Sequence, residues 1–129
     1  MLLRKYMSLL GIGSAKIDLI LEKDTYKAGN PVHGYFQVMG GTIEQQIRRI
    51  DCDLVMTDKA EGSETVIDTT TMLSTSRIHS EETNKIPFAF QLPASITVSN
   101  EDISYRFKTR LTFNEGVKSI DQDIIQIVG

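Results

Sequence analysis

KIDLILEKDTYKAGNPVHGYFQVMGGTIEQQIRRIDCDLVM, residues 16–56, decides the fold. Its apolar residues return at every second position, the period of a half-buried strand rather than of a helix. Ile17, Leu19 and Leu21 alternate with Lys16, Asp18 and Ile20. Residues 22–30 read as a turn region, with Asp24, Gly29, Asn30 and Pro31 as breakers. Val32, Gly34, Phe36 and Val38 then alternate with His33, Tyr35 and Gln37, and a glycine inside such a strand points to close packing or a bulge. Gly40 and Gly41 end that run. After them Ile50, Cys52, Leu54 and Met56 face one way, and Arg49, Asp51 and Asp53 face the other.

The same period runs through the rest of the chain. Residues 58–64, DKAEGSE, form a polar hairpin loop, and the threonine-rich run 64–76 favours an edge or solvated strand. Residues 84–92, NKIPFAFQL, alternate Ile86, Phe88, Phe90 and Leu92, and Pro87 confines this strand to an edge or a bulge. Residues 103–113, ISYRFKTRLTF, place Ile103, Tyr105, Phe107, Leu111 and Phe113 on one face, where a helix would scatter them. A last strand covers 120–128. Successive strands with short turns and no βαβ rhythm predict an all-β antiparallel β-sandwich over residues 14–129. Before it, Leu2, Leu3, Tyr6, Met7 and Leu10 fall at helical spacing, which predicts a short amphipathic helix within residues 1–13, stopped by Gly11 and Gly13.

Composition narrows the function. A chain of 129 residues is one domain by size and can bury a core without disulfide or metal. A formal net charge of -3 argues against a nucleic-acid partner. No run approaches the ~18 apolar residues of a membrane span, and Arg4, Lys5 and Ser8 interrupt the N-terminal apolar residues that a signal peptide would need. The single cysteine, Cys52, cannot pair internally, which favours a reducing, cytoplasmic setting. Its strand parity makes it a buried small hydrophobe rather than a reactive thiol.

A search for chemistry finds no catalytic set, no cofactor motif and no metal-ligand spacing. His33 and His79 lie far apart, and Cys52 points to the opposite face from His33, against a zinc site. Asp121 and Asp123 share a strand face but have no third acid at suitable spacing, so a solvated face is expected. The absence of tryptophan and the few aromatic residues weaken a sugar-binding reading. Arg106, Lys108 and Arg110 form the one concentrated row of like charge on a strand. Two readings of that row stand side by side: neutralisation across the sheet by Asp51 and Asp53, and a docking row for an acidic segment of a protein partner.

Tyr26, Gly29, Val32, Gly34, Gly40, Gly41, Glu44, Gln45 and Ile47 carry a family likeness. Their order, a Tyr-x-x-Gly turn into Val-x-Gly, a Gly-Gly turn and a Glu-Gln-x-Ile run, resembles the bacterial sporulation-control proteins, relatives of the arrestins. Ile86-Pro87-Phe88 with Gln91-Leu92-Pro93 is similar to their strand that ends at a proline. The resemblance implies an arrestin-like sandwich of immunoglobulin-like architecture in a cytoplasmic regulatory protein, a non-enzymatic adaptor or scaffold that binds other proteins. Members of that family usually carry two sandwiches in tandem, and this chain corresponds to the N-terminal one. The face that would meet a second sandwich is then exposed, so self-association is expected, with the strand edge at residues 123–128 as its site. The rival reading is an envelope or extracellular sandwich that binds carbohydrate or metal.

Overall fold

A computed structural model describes residues 13–114, 116 and 118–129. Its strands are β1 (Lys16–Leu21), β2 (Thr25–Lys27), β3 (Pro31–Met39), β4 (Gln45–Asp58), β5 (Ser63–Leu73), β6 (Arg77–Ile78), β7 (Thr83–Gln91), β8 (Ile103–Phe113) and β9 (Lys118–Val128). Two sheets form. The smaller has the order β1-β3-β7, and the larger runs β2-β9-β8-β4-β5 with β6 beside β4. The sandwich read from period alone is therefore present. The helix expected within residues 1–13 lies outside the described residues, which begin at Gly13.

The inward faces follow the sequence alternation. Tyr105, Phe107, Leu111 and Phe113 on β8 are all buried, and so is Thr109, the polar residue that completes their row. The layers meet through rings. Phe36 and Phe88 of the small sheet pack edge to face at 5.1 Å, and Phe107 of the large sheet meets Phe88 at 5.6 Å and Phe90 at 5.2 Å. Such edge-to-face contacts add to the gain from burying apolar area.

Three glycines of the opening stretch answer to space. A Cβ on Gly34 would strike the carbonyl of Ile20 on β1, one on Gly40 the carbonyl of His79, and one on Gly41 the carbonyl of Gly13. Backbone passes so closely at these points that no side chain fits. Gly29 differs: its φ of 80° is the left-handed region that glycine enters freely.

Two features depart from the expectation. The turn region at 22–30 contains β2, which pairs in parallel with β9 (Thr25 with Gln126, Tyr26 with Ile127, Lys27 with Val128), so the sandwich is not wholly antiparallel. A three-residue strand is too short for its period to be read. Tyr26 anchors it, for its ring is buried, its hydroxyl donates to the Lys23 carbonyl at 2.8 Å, and it accepts from the Lys23 N–H at 3.2 Å. The same pairing covers the end of β9, so residues 126–128 are not the free edge expected for self-association. Pro87 does sit on an edge strand, β7, opposite Tyr35 of β3. Phe107→Ala should cost about 3–5 kcal/mol, because it empties a fully buried ring position in contact with two other rings; chemical denaturation of the variant measures it, and an unchanged midpoint would contradict this packing.

Candidate functional site

The outer face of the large sheet carries the basic row. Arg106, Lys108 and Arg110 project from β8, and Ile120, Gln122 and Ile124 stand opposite Arg110, Lys108 and Arg106 on β9. The register also sets Asp51 opposite Arg110 and Asp53 opposite Lys108. Only the first of these becomes an ion pair, at 3.6 Å. Lys108 reaches past β4 to Glu64 of β5 at 2.8 Å, and Arg106 binds the other oxygen of the same carboxylate at 2.8 Å while donating to Thr57 at 2.7 Å. The two donors hold the Glu64 carboxyl below its ordinary pKa. Asp53 instead accepts from the Thr69 hydroxyl at 2.8 Å. Asp51, expected to face solvent, is 6% exposed; it accepts from Arg49 at 2.9 Å and from Thr71 at 2.8 Å. Neutralisation across the sheet thus occurs, with Glu64 in the place expected of Asp53.

The charge left over gathers at one end of this face. The β4–β8 pairing passes from Ile47 opposite Phe113 directly to Arg49 opposite Thr112, so Arg48 is the extra residue of a bulge. Arg48 and Arg49 are consecutive yet both exposed, between buried Ile47 and Ile50. Together with Arg110, Thr112 and Lys118 they line a groove of about 310 Å³. The sequence placed Arg49 on the outer face but gave no role to it, Arg48 or Lys118. The signal was available in two adjacent arginines inside an alternating strand, which the period forbids unless the strand bulges.

A second cluster lies where the sheets meet. The N–H of Ile17 on β1 donates to Ser119 Oγ at 3.2 Å, and that of Leu19 to Asp121 Oδ2 at 2.9 Å. Asp18, Asp121 and Asp123 offer carboxylate oxygens within 4.8 Å of one another. This corrects the expectation of a solvated Asp121–Asp123 face without a third acid, since β1 of the opposite sheet supplies Asp18. Three carboxylates are a hard-oxygen donor set that could hold a divalent cation. A shared proton is the other way to relieve their repulsion. Burial, and then the neighbouring Asp121 and Asp18, push the Asp123 carboxyl from 3.8 up to about 7, while burial and Asp121 raise Asp18.

Cys52 is unreactive as placed, and the two histidines stand apart from it. Cys52 is fully buried, accepts a hydroxyl contact from Thr109 at 3.5 Å, and burial pushes its thiol up to about 12. His33 is exposed on β3, and His79 Nδ1 lies 3.5 Å from Glu44.

A two-sheet sandwich with a parallel strand added at one edge, a packed interior and its polar groups on the outer faces defines a β-sandwich module. The chain belongs to the SpoOM protein family, whose model matches residues 3–129. It is 33% identical over 128 residues to the sporulation-control protein spo0M of Bacillus subtilis, a match that takes in 95% of this chain and 50% of that protein. The crystal structure of Spo0M from Bacillus subtilis superposes with a TM-score of 0.83 at 31% identity, over 92% of this chain and 51% of that one. The chain therefore spans about half the length of the relatives it matches. At the level of fold alone, a cycloisomaltooligosaccharide glucanotransferase of Paenibacillus sp. shares the sandwich, with a TM-score of 0.59 at 14% identity over 90% of this chain and 14% of that one. The likeness read from Tyr26, the glycines and the Glu44-Gln45 run is thereby confirmed.

Two outcomes are expected. A carboxyl whose folded pKa lies above its unfolded value is favoured in its protonated form by the fold, so that stabilisation is complete below the ordinary carboxylate range and lost as pH rises through about 7. The thermal midpoint should therefore fall between about pH 4 and about pH 7, and Asp123→Asn should flatten the fall; an equal slope in both proteins would exclude Asp123 as its source. Replacing Arg106, Lys108 and Arg110 together by serine should leave a cooperative unfolding transition, because the pairs with Glu64 are solvent-screened and the buried Asp51 keeps Arg49 and Thr71 as partners. Loss of the folded circular-dichroism spectrum would show the row to be structural.

Proposed function

We propose that this chain is a non-enzymatic protein-interaction domain of a sporulation-control regulator, acting as an adaptor or scaffold rather than on a substrate. The observation that carries the reading is the outer face of the large sheet. Ile120 and Ile124 are 65% and 76% exposed there, beside the row of Arg106, Lys108 and Arg110. Large apolar side chains set among cations on an open sheet face suit a protein surface that mixes apolar and acidic groups. Membership of the family supports a regulatory role, and the inert placement of Cys52 supports a surface-based mechanism over nucleophilic chemistry.

The test is affinity capture of the tagged chain from cells that make it, beside a variant carrying Ile120→Thr and Ile124→Thr. The expected result is a discrete protein retained by the natural sequence and absent from the variant. The same set of proteins on both would sink the reading. Light scattering of the purified chain adds the case of a second copy as partner, seen as a concentration-dependent mass that the double variant lacks.

A further inference from the structure

The described cations are not spread evenly over the large sheet. Arg106 and Lys108 share Glu64, and Arg49 and Arg110 share Asp51. Arg48 and Lys118 have no ion pair among the described residues. The groove of Arg48, Arg49, Arg110, Thr112 and Lys118 thus gathers four cations, and of these Arg49 and Arg110 pair with the buried Asp51, which does not line it. This excess sits on a chain whose net charge is -3.

The excess is built by backbone. Without the bulge at Arg48, strand alternation would send one of the two neighbouring arginines into the core. Arg49, Thr112 and Lys118 lie opposite one another in register, forming a row across β4, β8 and β9. Along β9 the face continues from Lys118 to Ile120 and Ile124, both exposed. Six residue steps along a strand, from Lys118 to Ile124, cover about 20 Å, the reach of an extended segment of about six residues.

We propose that this face binds an extended acidic segment of a partner protein, its carboxylates seated in the groove of Arg48, Arg49, Arg110 and Lys118 and its apolar side chains on Ile120 and Ile124. The proposal rests on the interaction-domain reading and names the place and the chemistry of the partner. Charge complementarity sets the sign of the ligand. The exposed isoleucines set its mixed character, because they would lie idle against a purely ionic ligand. Nucleic acid fits less well, since the groove and its β9 flank present no aromatic ring on which a base could stack. Arg48 and Lys118, which have no ion-pair partner among the described residues, are the specificity-determining pair.

The probe is a fluorescein-labelled eight-residue peptide, Glu-Ser-Glu-Ser-Leu-Ser-Leu-Ser, whose glutamates and leucines share one face when extended, followed by anisotropy at low and physiological salt. The same peptide with glutamine for glutamate and a labelled DNA duplex serve as comparisons. The natural chain should bind the glutamate peptide, more weakly as salt rises, and the glutamine peptide at least about tenfold more weakly. R48E combined with K118E should abolish binding, whereas K59E, in the distant β4–β5 turn, should leave it unchanged. Should the reversed pair fail to fold, R48Q with K118Q is used, with a smaller loss expected. No binding by the natural chain, equal losses with K59E, or tighter binding of the duplex would each overturn the proposal. Partner capture separates the two readings. A protein retained by both the natural chain and the R48E/K118E variant refutes the groove and leaves the interaction domain standing. No specific protein retained by the natural chain refutes the interaction domain itself.

Discussion

The sandwich depends on how the outer edge of β1 is satisfied. β1 closes the small sheet, so its outward N–H groups have no strand to bond, and buried unpaired donors are costly. Side chains serve this edge, from Ala15 just before β1 to Leu19 within it. Gln45 Oε1 accepts from Ala15 at 2.7 Å, Ser119 Oγ from Ile17 and Asp121 Oδ2 from Leu19. Donors two residues apart on β1 meet acceptors two residues apart on β9, so a row of side chains acts as the missing strand and ties the sheets together along one side. The buried Gln45 of the Glu-Gln-x-Ile run has its explanation here. So do the crowded carboxyls, for acceptors placed at this spacing bring Asp121 and Asp123 up against Asp18.

Most of the fold was legible because alternation and burial are the same fact seen twice. β3 and β8 bury the large apolar residues that the period selects, β4 does so at Ile50, Cys52 and Leu54 while also covering Asp51 and Val55, and the exposed β5 lies at the edge where its threonine-rich composition placed it. What escaped was either too short or too distant. β2 offers three residues, and its partner lies about a hundred residues further along the chain. The family glycines were visible as letters, but the reasons for Gly34, Gly40 and Gly41 are carbonyls of other strands.

The surface was less legible than the core. The row of Arg106, Lys108 and Arg110 was evident, and its partner on β5 was not, since no sequence rule carries a lysine past one strand to the next. The bulge redirected the charge more strongly still. One additional residue in β4 turned Arg48 outward, and the cations without an ion pair among the described residues, Arg48 and Lys118, lie beside the end of β8 rather than its middle. Asp18 joined Asp121 and Asp123 across the two sheets, a meeting that spacing within either strand could not announce.

Cys52 has a use beyond packing. Its thiol is sealed in the core and held far from ionisation, so a thiol-directed reagent can reach it only when β4 leaves its neighbours. Because no second cysteine competes, the rate of labelling in native buffer reports how often the sandwich opens at β4, as an equilibrium population with a slow reagent and as an opening rate with a fast one. The chain thereby carries its own clock for spontaneous opening, without any added probe.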